Sequence, residues 1–375
     1  MSLKEDLKAF VEANKDLRNP IITVNGLKIG IIGDVHIGKT FRTGVPKDRL
    51  GERESMVLNQ LTELLDRDVD YNILVGDLFD KVRVSNSDLY NLINIIENAV
   101  STRTDVVYVV VNGNHDMPKE VGRISSFQLF EKYFERTPFD NLKIVSKHNT
   151  SNIHVIPDHD TLLYFSHYNA FSSLDEEIDD EFFNKDLFDS YSNRIAFGHW
   201  ETIDFGSDHF IDRDVPKIVL DNFTAVVTGH EHKPKLTLIQ NVPVLTSGSM
   251  QPYAYGEELS YEKDFYVTLP SSIVKQRLKK DPNTFKDAYV KILVETSEDL
   301  IDPFDCLGRA YKNVSKKSEE SKETENPVLT STEPLSFQKS LITLLKNVSI
   351  ANPDNHELLE HIEKTFLDKS YKENT

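Results

Sequence analysis

Cysteine is almost missing: the chain has 375 residues and one cysteine, Cys306. A single thiol excludes an internal disulfide and any thiolate metal cluster, and it fits a reducing compartment. Long apolar runs are missing too. No stretch of about 18 apolar residues occurs, so a membrane-spanning helix is not expected. The opening MSLKEDLKAF is too polar and too mixed in charge for a secretory leader. The expectation is a cytoplasmic chain with no membrane partner. Positive charge is also short, with 43 Lys and Arg against 61 Asp and Glu, a formal net charge of −18. A protein that grips a polyanion unaided usually carries a basic footprint. Either the substrate is not a nucleic acid, or metal ions and a basic partner supply the positive field. Finally, no GxxxxGK[ST] loop is present, so any dependence on ATP must come from a partner.

What is present is patterned. Leu3, Leu7, Phe10 and Val11 predict a helix over 1–19. Asn25-Gly26 between two apolar runs predicts a hairpin over 21–32. Helices at 54–67 and about 86–100 alternate with apolar strands at 71–75 and 106–111. Later strands are predicted at 153–156, 161–166, 194–197, 224–228, 235–239 and 243–246. Early strand–helix alternation followed by strand after strand predicts an α/β sandwich of mixed sheets. Beyond about residue 258 the texture changes: 264–269 and 287–295 alternate as half-buried strands, and 302–311 is predicted as a helix. Residues 313–333 (NVSKKSEESKETENPVLTSTE) read as a flexible linker. Phe337, Leu341, Leu344, Leu345 and Val348 form one apolar helical stripe, and Asn352-Pro353 opens a second helix carrying Leu359, Ile362 and Phe366.

Three successive early strands end in the same kind of residue: Gly33-Asp34-x-His36, Gly76-Asp77-x-x-Asp80 and Gly113-Asn114-His115-Asp116. Two later strands end in Gly198-His199 and Gly229-His230-x-His232. Any one of these is an ordinary loop; five in order are not. Asp, His and Asn are the ligands that hard to borderline divalent metals take. Asp34, His36, Asp77, Asn114, His199, His230 and His232 are too many for one catalytic metal with an open position. They suit two metals sharing one carboxylate. Imidazole does not bridge, so Asp77 is the expected bridge, Asn114 serves the second metal, and His115 is left to act on substrate.

In this order the motifs resemble the calcineurin-like metallophosphoesterase superfamily, across residues 33–232. Within it, Gly76-Asp77-Leu78-Phe79-Asp80, Phe197-Gly198-His199-Trp200-Glu201 and Gly248-Ser249-Met250-Gln251-Pro252 resemble SbcD-type DNA double-strand-break repair nucleases. The phage members, the small subunit of a recombination exonuclease complex, are the most similar. The resemblance implies an α/β metallophosphoesterase sandwich of two mixed β-sheets flanked by helices, plus a small α+β capping domain and a C-terminal helical tail. Its boundaries would be an N-terminal helix and hairpin strand at 1–26, a nuclease domain at 27–257, a DNA-binding capping domain at 258–312, a linker at 313–333 and a partner-binding tail at 334–375.

It further implies two Mn²⁺, with Mg²⁺ as the other candidate. Asp34, His36, Asp77 and His232 would hold one ion; Asp77, Asn114, His199 and His230 would hold the other. His115 would protonate the leaving oxygen, Asp116 would orient His115, and Asp80 would stand behind the ligands. The implied activity is double-strand 3′–5′ exonuclease and single-strand endonuclease, in DNA recombination, repair and replication. The implied partners are DNA, an SbcC-like coiled-coil ATPase bound through the C-terminal helices, and a second copy of the chain, in the cytoplasm of a cell such as a phage-infected bacterium. The motifs alone also fit a phosphatase or phosphodiesterase with a non-DNA substrate, and a non-catalytic scaffold would keep the fold. A scaffold is expected to lose ligands, and none is lost here. His148, His154, His159, His209, His356 and His361 sit in no motif and are expected to be structural.

Overall fold

The computed structural model describes residues 18–118, 120, 122–147, 153–168, 185–202, 215–295 and 299–314. The expected N-terminal helix, the linker beyond 314 and the helical tail therefore lie almost wholly outside the described residues. Residues Met1–Ser315 form one compact unit.

The hairpin forms as its turn dictates. β1 (Ile21–Val24) and β2 (Leu27–Ile32) pair antiparallel with Val24 opposite Leu27. Asn25 and Gly26 both take positive φ, 48° and 84°, the turn whose twist matches a two-residue hairpin. The chain then alternates through α1 (Glu52–Leu65), β3 (Tyr71–Val75), α2 (Asn86–Thr102), β4 (Val107–Val111), α3 (Ser126–Arg136) and β5 (Leu142–Val145). The first sheet has the order β1-β2-β3-β4-β5, parallel from β2 onward. Side-chain caps start two of the helices: Ser85 accepts from the Asp88 amide, and Ser125 and Gln128 form a reciprocal capping box.

The second sheet is built from β6 (Ile153–Ile156), β7 (Thr161–Phe165), β8 (Asn193–Gly198), β9 (Ala225–Thr228), β10 (Lys235–Ile239) and β11 (Val242–Thr246). Its order is β10-β11-β9-β8-β7-β6. Short helices α4 (Lys185–Asp189) and α5 (Lys217–Asn222) precede β8 and β9.

Strands buried on both faces read as continuous apolar runs because successive side chains feed two different cores. Ile73 and Val75 point between the sheets, where Val109, Val111, Phe165, Phe197 and Val227 meet them. Leu74, Tyr108 and Val110 point the other way, onto Leu61, Ile96 and Phe130 of the helices. The outer face of the second sheet packs Tyr164, Ala196 and Val226 on Val219 and Phe223. The result is a helix–sheet–sheet–helix sandwich, as the α/β reading expected. Each fully buried Ile, Val or Phe contributes about 1.5–3 kcal/mol of transfer free energy.

A third sheet, β12 (Tyr266–Pro270), β13 (Tyr289–Val294) and β14 (Gly308–Asn313), is parallel throughout. α6 (Ser271–Lys280), which the sequence reading missed, covers one face through Val274 against Val290 and Ile292. One expectation is corrected here: 302–311 is not a helix. Residues 308–313 pair along β13, Tyr289 opposite Gly308, and a Cβ at Gly308 would lie 2.7 Å from the Tyr289 ring. Pairing with an already buried strand overrides the local helical spacing.

Candidate metal centre

Parallel strands end at a common rim, and the polar residues that follow β2, β3, β4, β8 and β9 meet there. The loops are shaped for that meeting. Three of the candidate ligands, His36, Asp77 and His230, sit at positive φ (52°, 44° and 77°), a conformation non-glycine residues take at a cost. Two glycines make room for carboxylates: a Cβ at Gly113 would fall 2.2 Å from Asp77 Oδ1, and one at Gly229 would fall 2.4 Å from Asp34 Oδ1. That close approach is why Asn114 and His230 each follow a glycine.

All seven candidate ligands are brought together, in two groups. Asp34, His36 and His232 each present a ligand atom within 4.8 Å of one another, and Asp77, His199 and His230 do the same. Asp77 stands between the groups. Its Oδ2 is 4.0 Å from His36 Nε2 and its Oδ1 is 3.4 Å from His199 Nε2, one oxygen toward each. Asn114 Oδ1 lies 2.9 Å from both His199 Nε2 and His230 Nδ1.

Hydrogen bonds on the far side of each ring decide what faces inward. His199 Nδ1 donates to the Val75 carbonyl at 2.9 Å. His230 Nε2 donates to Glu201 Oε1, and His232 Nδ1 donates to Glu257 Oε1, both at 2.9 Å. In the neutral rings the inward nitrogens are therefore lone pairs. His199 Nε2 and His230 Nδ1 are 3.2 Å apart, and His36 Nε2 and His232 Nε2 are 3.0 Å apart. Acceptors that converge with carboxylate and carboxamide oxygens require a cation between them, and the residues present fit two divalent ions.

The electrostatics say the same. Burial works against charge on His199, yet the Asp77 and Asp34 carboxylates outweigh it and push the imidazole up to about 9. Burial likewise opposes ionisation of Asp77, but the imidazoles of His199, His36 and His115 hold it well below the usual carboxylate range. Desolvation raises Asp34 and drives His36 well below an ordinary histidine, so His36 offers a neutral ring.

His115 and Asp116 part company. The His115 ring is 42 % exposed, its Nδ1 is 2.6 Å from the Asp80 carbonyl, and its Nε2 faces the centre 4.0 Å from Asp77 Oδ2. Because a carbonyl can only accept, that contact puts the proton of the neutral ring on Nδ1. Asp116 is fully buried and does not orient His115. Its carboxylate accepts from the Leu78, Phe79 and Gly113 amides at 3.1, 2.9 and 2.8 Å. This corrects the expected orienting role: Asp116 ties the loop after β3 to the loop after β4, and the backbone of Asp80 orients His115. The Asp80 carboxylate pairs with Lys39 at 3.1 Å and lies 3.8 Å from His36 Nδ1.

Sequence reasoning missed Glu257. Its carboxylate backs His232 while accepting from the Tyr253 and Ala254 amides. No motif marks it; only its place a few residues after Gly248–Pro252 hinted at the site. Glu201 lies inside a quoted motif without having been given a role. Tyr253, also unforeseen, donates from its hydroxyl to the Val35 carbonyl and sets its ring edge-on to His36, 5.6 Å between centroids.

Residues 27–234 match the model of the family described as calcineurin-like phosphoesterase. The chain belongs to the calcineurin-like phosphoesterase family. Membership implies a metal-dependent hydrolase with a dinuclear metal centre, the chemistry for which the Asp and His clusters are arranged. No curated protein matches the phosphoesterase. Among solved structures it is similar to TT1561 of Thermus thermophilus, at 15% identity and a TM-score of 0.37, covering 59% of this chain and 89% of that one. It is also similar to GAP50, the anchor in the inner membrane complex of Plasmodium, at 13% identity and a TM-score of 0.35, covering 62% of this chain and 74% of that one. Among the described residues of the phosphoesterase no helix is long and apolar enough to cross a membrane.

Proposed function

We infer that this phosphoesterase is the nuclease subunit of a DNA recombination and repair complex, cleaving phosphodiester bonds with two Mn²⁺ ions. The observation that carries this reading is the placement of His115. Its ring opens onto a groove of about 410 Å³ lined also by Lys81, Asn114, Met117 and Arg123. A phosphodiester leaves an alkoxide, which needs a proton; His115, exposed beside the centre, gives one from Nε2 when its ring carries both protons, the Nδ1 proton staying hydrogen-bonded to the Asp80 carbonyl. Bound divalent ions would supply Lewis-acid charge and activate water for in-line attack on phosphorus.

The rest is work for the chain's own residues. Asp77 holds the two ligand groups in one frame. The Asp80 carbonyl fixes the His115 ring. Lys81 and Arg123 line the groove together with Asp80 and Glu120, and Arg123 pairs with Glu120 at 2.6 Å, so the groove adds no net positive charge of its own. A net charge of −18 leaves little nonspecific grip on DNA. The reading therefore includes a dimer and an SbcC-like ATPase partner, engaged through residues 334–375, that share DNA binding.

The test is incubation of the purified chain with labelled linear double-stranded and single-stranded DNA in Mn²⁺, Mg²⁺ or chelator. Mn²⁺-dependent degradation, lost in Asp77→Ala, supports the nuclease reading. Hydrolysis of bis-nitrophenyl phosphate without DNA cleavage, even with the ATPase partner added, sinks it in favour of a non-DNA phosphodiester.

A further inference from the structure

Among the described residues ahead of the first strand, Arg18 and Asn19 both reach the loops of the metal centre, and Arg18 reaches the most of them. Arg18 is 7 % exposed, although it belongs to none of the three sheets. Its guanidinium spends its donors on three separate loops. Nη1 donates to the His232 carbonyl at 3.2 Å, the Ser249 carbonyl at 2.7 Å and the Ser249 hydroxyl at 3.1 Å. Nη2 donates to the Glu257 carbonyl at 2.7 Å and Glu262 Oε2 at 3.1 Å, and Nε donates to Glu262 Oε1 at 2.9 Å.

Each loop serves the same ion position. His232 is a ligand. Glu257 backs the His232 ring. Gly248–Met250 grips Asp34: the Asp34 amide donates to the Gly248 carbonyl, and the Met250 amide donates to the Asp34 carbonyl. Asn19 adds to the grip, accepting from the Gly33 amide at 3.1 Å and donating to the Met250 carbonyl at 2.8 Å. On the other side Asn114, His199 and His230 follow strands β4, β8 and β9; the His199 and His230 rings are braced by Val75 and Glu201, and none of these residues hydrogen-bonds Arg18. The His230 amide does reach across to the Asp34 carboxylate, at 3.0 Å, but through its backbone and not its ring.

We propose that Arg18 is a positioning residue for one of the two metal sites, the one built from Asp34, His36 and His232, and not for the other. The planar fork suits the task because its donors reach acceptors on all three loops at once; a lysine ammonium is a single point. The proposal rests on the dinuclear reading of the centre, and the experiment keeps the two apart.

Mn²⁺ binding is measured by calorimetry and by electron paramagnetic resonance on the full chain and on R18M, R18K, the paired variant R18M/E262Q and R67M. Arg67 is the control. It ties down the same segment through the Asn19 carbonyl at 2.8 Å but bonds to no ligand loop. The parent is expected to bind two ions. R18M is expected to keep one at parental affinity and bind the other about 10- to 100-fold more weakly. R18K is expected to weaken the same site, and R67M to bind both ions as the parent does.

The paired variant removes the carboxylate that R18M leaves unpartnered, so an R18M fold defect does not leave the question open. Equal affinity for both ions in R18M and R18M/E262Q overturns the proposal, and so does the same loss in R67M. A parent that binds fewer than two ions overturns the dinuclear reading itself.

Discussion

At the scale of single residues, the two members of the Asn114-His115-Asp116 run that are not counted among the seven candidate ligands differ in what holds them. The His115 ring is held by one backbone carbonyl, meets the His36 ring edge-on at 5.0 Å between centroids, and faces the groove. Replacing it with alanine is expected to leave both metals bound, by calorimetry, and to lower turnover of a diester about 10²- to 10⁴-fold. Undiminished turnover would remove His115 from the chemistry. Asp116 acts on stability instead. Asp116→Ala orphans three buried amides, each worth about 1–3 kcal/mol. The variant is expected to unfold several degrees earlier by circular dichroism, whereas Asp116→Asn, which keeps an acceptor oxygen, is expected to fall between the two. A parental melting temperature in Asp116→Ala would refute the tie between the loops.

At the scale of elements, the sequence was most legible where one physical rule acted alone. β3 and β4 were readable as apolar runs because both of their faces are buried, and the Asn25-Gly26 hairpin because its turn admits few residues. The convergence of the candidate ligands was readable because every member follows a strand. β14 was not readable, because only pairing with β13 makes a strand of it, and α6 was missed because few of its residues are buried. Glu257 and Arg18 were invisible for a related reason: each acts on a loop distant in sequence, and no spacing encodes that.

β6 also carries a titration that the sequence could not announce. His154 packs its ring against Phe165, 5.2 Å between centroids, and Tyr71, 6.3 Å. Burial first and then Lys143 lower its pKa, so the fold favours the neutral ring. The unfolded chain therefore takes up the proton more readily. The stability His154 contributes is fully present above the ordinary histidine range near 6.5 and is lost as pH falls through it. Urea unfolding at pH 5.5, 6.5 and 7.5 is expected to show stability falling toward acid, and falling less in His154→Phe. An equal fall in both proteins would clear His154 of any part in it.

At the scale of the whole molecule, every buried Asp and His among the described residues lies at one rim, and that couples metal, proton and fold. At His199 the imidazole is pushed up to about 9 by Asp77 and Asp34 despite its burial. Below that range the metal-free centre holds a proton where a cation belongs, and a bound ion must displace it. Affinity for Mn²⁺ is therefore expected to rise steadily from pH 6 toward pH 9, with proton release seen as a dependence of the calorimetric heat on the buffer. The same ions bind the folded chain and not the unfolded one. At a free concentration of about 100 times the dissociation constant, a single site adds about 2.7 kcal/mol. Chelation should thus lower the melting temperature by a few degrees, and by more at pH 8 than at pH 6, because the tighter binding at higher pH is what chelation removes. A melting temperature indifferent to chelator would mean that the rim needs no cation, and an affinity flat across that range would mean that no proton is displaced and His199 is already neutral in the metal-free centre.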